Sequence, residues 1–245
     1  MSLLAEISAW SCAGLAGVSV VYWIVTTAWV RTLPSHHYLH RPPAALRGRD
    51  DDEDNDEEEE LGEVDPVTFL RPLKAGVRNL EEELRTFLRE LRSGDQVIFG
   101  VEPGSNEERI CKGLAASDDL EVVVMACVPG AALNPKISKL LQMTPHARHS
   151  LWIVLDAEFV ADRGWLDRFR AQWASVGAEA LTAGYRFSGA RSLSQRLDVL
   201  PVLTTLWPGL AVLWRRGPLR LMLGAVMAVG REALERIGGL SLIHI

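Results

Sequence analysis

Residues 151–159 read LWIVLDAEF. The five consecutive apolar residues, Leu151 to Leu155, suit a strand covered on both faces, as strands inside a parallel sheet are. Two carboxylates follow at once, Asp156 and Glu158. In open parallel sheets ligands bind beyond the carboxyl ends of the strands, so the acids fall where chemistry is expected. If the strand stays extended, residues i and i+2 point the same way and both face one divalent cation. A hard cation such as Mg²⁺ or Mn²⁺ takes one or two carboxylates together with phosphate oxygens. A plainer reading also stands, in which Asp162 caps the next helix and the acids before it are ordinary surface charge.

Outward from that strand the pattern alternates. Val67 to Leu70 is a short apolar run closed by Pro72, and Gln96–Val101 (QVIFGV) and Glu121–Cys127 (EVVVMAC) are further strands. Leu80, Leu84, Phe87, Leu88 and Leu91 recur at helical spacing, which predicts an amphipathic helix over Asn79–Arg92 with Asn79 as its cap. Glu107–Ala116 and Asp162–Val176 are the next helices, the latter with Trp165, Phe169 and Trp173 on one face, and Ala178–Gly184 is a short strand. Strand–helix alternation at this pitch means βαβ units, hence an α/β fold with a mainly parallel sheet and helices on both faces.

The N-terminal quarter differs in kind. Ile7 to Val30 carries no charge for 24 positions, about 36 Å of helix at 1.5 Å per residue, enough to cross a hydrocarbon core. Residues 1–31 are therefore expected to form a retained transmembrane anchor. A cleaved signal peptide would have a basic start and a shorter apolar run. Arg31, Arg41, Arg47 and Arg49 follow the span and no basic residue precedes it, which puts the globular part in the cytosol. Residues 32–65 hold Pro34, Pro42, Pro43 and the block Asp50–Glu60, ten acids and one Asn, and are expected to be a disordered acidic linker. His36, His37 and His40 lack a carboxylate or thiol at ligand spacing. The net charge of −6 comes from the acidic block, since 26 basic residues otherwise face 22 acids. No nucleic-acid partner is expected of such a chain. Three cysteines without CxxC spacing make neither a disulfide framework nor a zinc site.

Leu197 to Trp214 is strongly apolar but carries Pro201 and Pro208, with Arg215, Arg216 and Arg220 after it. The prolines and the length argue against a second span, and an interfacial helix with basic flanks fits better. Core packing is the other reading.

Four segments in order, VTFLRPLKAGVRNLEEELRTFL from Val67, LNPKISKLLQM from Leu133, LWIVLDAEF and MLGAVMAVGREALERIGGL from Met222, resemble the ceramide glucosyltransferase-like glycosyltransferases. This is family 21, close to family 2, and it includes the glycosyltransferase of bacterial hopanoid biosynthesis. The resemblance runs from about Val67 to Leu240. It implies a GT-A fold over residues 66–245 that binds a UDP-sugar and, with inversion, glycosylates a lipid hydroxyl of ceramide or hopanoid type at the membrane. It implies further that Asp156 and Glu158 stand at the metal and diphosphate motif with Mg²⁺ or Mn²⁺. Arg71, Pro72, Leu73 and Lys74 match the end of the first strand, beside the nucleotide, and Asn134, Lys136 and Lys139 match a segment approaching the sugar nucleotide. The plain alternative for both lysines is a solvated helix face. Gly224 to Met227 resembles the apolar strand before the acceptor-side helix. Glu102 stands where the family usually has a nucleotide-binding aspartate, in a segment that looks one residue shorter. The residue expected to act as general base, and a Q/R-x-x-R-W segment, lie beyond Ile245 in the family pattern, which suggests a truncated reading frame and an inactive fragment. A catalytically silent GT-A scaffold at the membrane is the rival expectation.

Overall fold

The structure, a computed structural model, describes residues 22, 24, 25, 28, 65–116, 120–187, 192–216 and 221–240. The chain divides into two compact units, one comprising residues 1–50 and 186–221, the other residues 51–185 and 222–245. The predicted linker and nearly all of the predicted N-terminal anchor lie outside the described residues. Of the anchor, Tyr22, Ile24, Val25 and Ala28 are described, and all four are helical.

The second unit runs β1 (Thr68–Pro72), α1 (Leu80–Arg89), β2 (Gln96–Val101), α2 (Asn106–Ala115), β3 (Glu121–Ala126), α3 (Pro135–Met143), β4 (Leu151–Leu155), α4 (Trp165–Val176) and β5 (Ala180–Thr182). The first unit supplies α5 (Leu193–Pro201), a π-helical segment (Val202–Leu206) and α6 (Trp207–Arg216). The second unit then resumes with β6 (Val226–Gly230) and α7 (Arg231–Arg236). The six strands form one sheet in the order β3-β2-β1-β4-β6-β5. β3, β2, β1 and β4 pair in parallel, whereas β6 is antiparallel to both β4 and β5. The sheet is thus mainly parallel with one reversed strand.

Alternation along the strands sorts the core into two layers. Phe69, Val97, Phe99, Ile153 and Leu155 face Leu80, Leu84, Phe87 and Leu88 of α1, Cys111 and Leu114 of α2, and Leu166 and Phe169 of α4. Leu70, Ile98, Trp152, Val154 and Met227 face the other way, onto Ile137, Leu140 and Met143 of α3 and Leu234 of α7. Helices do cover both faces. α3 comes so close that a Cβ on Gly100 of β2 would stand 2.5 Å from the Met143 sulfur.

Several local expectations are corrected. Asn79 does not cap α1 through its side chain. It takes a left-handed φ of 52°, tolerated by Asn, and its carbonyl accepts from Glu83 N (3.1 Å). Ser105 is the residue that caps α2, accepting from Glu108 N at 3.1 Å. α4 begins at Trp165 after Gly164 at φ 67°, so Asp162 is not its cap.

The prolines do not break the apolar helix of the first unit. Pro201 ends α5, and the chain continues through the π segment, where Trp207 N–H reaches Val202 O. Pro208 follows that segment, and the wider i→i+5 turn before it relieves the clash that a proline ring makes with the preceding turn. The stretch Leu193–Leu213, 21 residues, is long and apolar enough to cross a membrane.

Candidate functional site

The chain leaves β1 in one direction to build β2 and β3 and returns on the other side of β1 to lay down β4. That reversal makes the carboxyl ends of β1 and β4 the natural crevice of the sheet. Leu73 and Lys74 follow β1, Glu102 follows β2 and Asp156 follows β4. Because β6 runs antiparallel with Val226 opposite Leu155, Gly224 and Ala225 arrive at the same edge. Asp156 N donates to Ala225 O at 3.0 Å, tying the two segments together.

Three lysines meet three carboxylates here. Lys74 Nζ lies 2.8 Å from Glu158 Oε1, Lys136 Nζ lies 2.6 Å from Asp156 Oδ1, and Lys139 Nζ lies 3.4 Å from Glu102 Oε1. All six are residues singled out by the sequence. Lys136 also donates to Gly224 O (2.6 Å) and Lys139 to Leu73 O. Both stand on α3, three residues apart, so they share a helix face. Their side chains are only 19% and 10% exposed, so the reading of a solvated helix face is corrected. An ammonium drawn out of water needs acceptors, and each takes a carbonyl as well as a carboxylate. Asn134 supports them indirectly. Its Oδ1 accepts from Lys136 N at 2.9 Å and caps α3, with Pro135 following as the first helical residue. Pro72 ends β1 beside Gly100, and the next N–H, that of Leu73, donates to Gly100 O at 2.8 Å.

The geometry expected of Asp156 and Glu158 is corrected in one respect. The chain leaves the extended conformation after Leu155, and Phe159 N closes a turn onto Asp156 O at 3.1 Å. Strand alternation therefore does not aim the two carboxylates the same way, and each takes its own ammonium. The turn is fixed by a residue whose task the sequence reading missed. Arg71 of β1 is fully buried, and its Nη2 donates to Phe159 O (2.6 Å) and Ala157 O (3.3 Å). Its guanidinium also lies 5.2 Å from the ring centroid of Phe87. From the other side Phe159 packs on Trp165 at 4.8 Å, and Trp165 stacks on Phe169 at 5.0 Å. The available signal was a charged residue in a strand otherwise made of buried apolar side chains, since such a charge has to be satisfied locally.

Burial lowers the Arg71 pKa to about 10, opposed by the nearby Glu83 carboxylate, so the side chain remains a cation at neutral pH. Glu83 is itself pushed above the usual carboxylate range by burial, against the pull of Arg71. Arg71 Nε and Nη1 and Glu83 Oε2 are buried and lack a protein partner.

Among the described residues no three His, Cys, Asp or Glu side chains converge as a metal cluster. The donors present are hard carboxylate oxygens, with Asp156 43% exposed at the rim. Such a set suits Mg²⁺ or Mn²⁺, which bind through one or two carboxylates and complete their shell with water and substrate phosphates. His146 and His149 lie between α3 and β4, away from this edge.

A solved mannosyltransferase, PcManGT from Pyrobaculum calidifontis, in complex with GDP-Man and Mn²⁺, superposes with a TM-score of 0.58 and 17% identity. The alignment covers 97% of this chain and 59% of that one, so the present chain spans well under two thirds of that neighbour's length. At that identity the likeness is one of fold. A mycobacterial protein aligns at a TM-score of 0.45 with 18% identity, over 69% of this chain and 54% of its own. No protein of curated function matches the sequence. The model of glycosyl transferase family 21, by contrast, matches residues 11–244. The chain belongs to glycosyl transferase family 21.

Proposed function

We propose that the chain is the sugar-nucleotide-binding part of a membrane-anchored, inverting glycosyltransferase that moves a sugar from a UDP-sugar to a lipid hydroxyl. The observation that carries this reading is the edge where Lys74, Lys136 and Lys139 meet Glu158, Asp156 and Glu102 at the crevice of a GT-A-like sheet. Three cations at the carboxyl ends suit a diphosphate, while a half-exposed aspartate suits the divalent ion that travels with one.

Asp156 would hold Mg²⁺ or Mn²⁺, while Glu158 stands at the rim on Lys74. When bound, the ion supplies Lewis-acid stabilisation of the leaving diphosphate. The residues of the chain do the rest. Lys139, anchored on the Leu73 carbonyl, holds positive charge beside the leaving group without reorganising, and Lys136 brings a second ammonium to it. Pro72 and the backbone after β1 bound the nucleotide, with Glu102 and Asn134 next to it. Arg71 keeps the Asp156–Phe159 turn in one conformation. The family membership and the GDP-Man and Mn²⁺ held by the mannosyltransferase neighbour support donor binding at this edge. The apolar helix Leu193–Leu213 and the uncharged segment Ile7–Val30 support a membrane setting, with the catalytic part in the cytosol and a lipid acceptor.

Calorimetric titration of the full chain in detergent tests the reading. UDP and UDP-sugars should bind in the presence of Mn²⁺, bind more weakly with EDTA, and fail to bind Asp156→Ala. Nucleotide binding that is indifferent to both Mn²⁺ and Asp156 would overturn it.

A further inference from the structure

Lys136 is held in an unusual way for a residue meant to meet a phosphate. Its ammonium spends two donors inside the protein, on Asp156 Oδ1 and on Gly224 O, both at 2.6 Å. It thereby links three segments, the first turn of α3, the turn after β4 and the residues before β6. The carboxylate it holds is the one read above as the metal ligand.

A divalent ion on Asp156 would stand roughly 2.0–2.6 Å from a carboxylate oxygen. The ammonium now lies 2.6 Å from Oδ1 of that same group. Two cations packed against one carboxylate repel each other, and a carboxylate shared in this way binds each of them more weakly. The diphosphate that accompanies the ion offers the ammonium a replacement acceptor. Lys139 makes a built-in contrast. It is anchored mainly on Leu73 O, lies 3.4 Å from Glu102, and does not touch Asp156.

We propose that Lys136 is an exchangeable counter-ion: it neutralises Asp156 while the site is empty, is displaced from Oδ1 by the incoming divalent ion, and transfers its charge to the diphosphate. This rests on the metal-dependent sugar-nucleotide reading above and adds a regulation to it. The site then has little affinity for the free ion and captures ion and nucleotide together. Removing the ammonium has two effects of opposite sign: free Mn²⁺ binds more tightly, and nucleotide binds less tightly.

The test is Mn²⁺ binding without nucleotide, followed by electron paramagnetic resonance on the full chain in detergent. Lys136→Met should bind Mn²⁺ roughly tenfold more tightly than the parent chain, within the usual range of site–site coupling. Its affinity for UDP in the presence of Mn²⁺ should fall. Lys136→Arg, which keeps the charge, should bind Mn²⁺ like the parent, as should Lys139→Met. If Lys136→Met does not fold by circular dichroism, Lys136→Gln carries the same comparison with Lys136→Arg. Unchanged or weaker Mn²⁺ binding by the neutral variants overturns the proposal even if the parent binds Mn²⁺ and UDP. A parent chain that binds neither overturns the underlying reading instead.

Discussion

The two ends of the sheet each carry carboxylate–cation pairs, and the chain treats them in opposite ways. At the amino ends, Asp95 just before β2 accepts from Val67 N (3.1 Å) and Arg92 N (2.9 Å) and pairs with Arg170 of α4. Both partners are sealed from solvent, at 0% and 2% exposure. Asp95 has both oxygens committed, two strand starts and a helix depend on it, and no face is left for a ligand. At the carboxyl ends, Asp156 has one oxygen on Lys136 and a rim open to water. The same chemistry is structural where packing closes around it and exchangeable where packing stops. Parallel sheets place that opening at the carboxyl ends, beside Lys74 and the start of α3 that brings Lys136 and Lys139.

The comparison breaks most readily at the sealed end. Arg170→Met leaves Asp95 buried and uncompensated, and breaking such a pair costs about 3–5 kcal/mol. Thermal or denaturant unfolding should register that loss. Asp156→Ala should do the reverse. Its pair is partly exposed and worth no more than about 1 kcal/mol to stability, so melting stays nearly unchanged while Mn²⁺-dependent UDP affinity falls by roughly a hundredfold or more. Equal stability losses in the two variants would erase the distinction.

Arg71 lies between these extremes, sealed like Asp95 but serving the open edge. Arg71→Lys keeps the charge, but its ammonium is placed differently from the Nη2 that donates to both the Ala157 and Phe159 carbonyls. Mn²⁺-dependent UDP affinity should fall roughly tenfold, as for other residues that orient a metal ligand. Glu158→Ala, measured beside it, should be milder, because Lys74 and Glu158 are both well exposed.

Cys111 on α2 shows what sealing does to a titrating group. Burial pushes its thiol up to about 12. An acid whose folded pKa lies above its unfolded value favours the native state at low pH and loses that contribution as pH rises from the unfolded value near 8.5 toward the folded one. Denaturant midpoints should therefore fall between pH 8 and pH 10.5, and less steeply in Cys111→Ala. The smallest effect belongs to the open edge, where Lys74→Ala should change the unfolding free energy by less than about 0.5 kcal/mol.

Much of this was legible in the sequence because it follows from short-range rules. Leu151–Leu155 and Gln96–Val101 are strands over the residues their apolar runs marked, and the Asp156 edge falls where a buried strand ends. The three lysines and three carboxylates were each visible as residues, but their one-to-one pairing depends on the β1–β4 reversal, a long-range feature. Asn79 misled because Asn serves equally as a cap and as a left-handed residue, and the loop after β1 decides which. Pro208 misled because the cost of a proline assumes an α-helical ladder, and the π segment before it widens that ladder. Arg71 was placed beside the nucleotide, but its clasp on Ala157 and Phe159 spans more than 85 positions of chain, beyond any local pattern.

The central claim is that Asp156 grips the ion of a sugar nucleotide at the carboxyl edge of the sheet. A structure determined with Mn²⁺ and UDP, using the anomalous signal of manganese, tests it most directly. The account predicts manganese within about 2.0–2.6 Å of an Asp156 oxygen, the diphosphate against Lys136, and the Lys136 ammonium off Oδ1. Manganese and diphosphate bound elsewhere, with the Lys136–Asp156 pair intact, would contradict it.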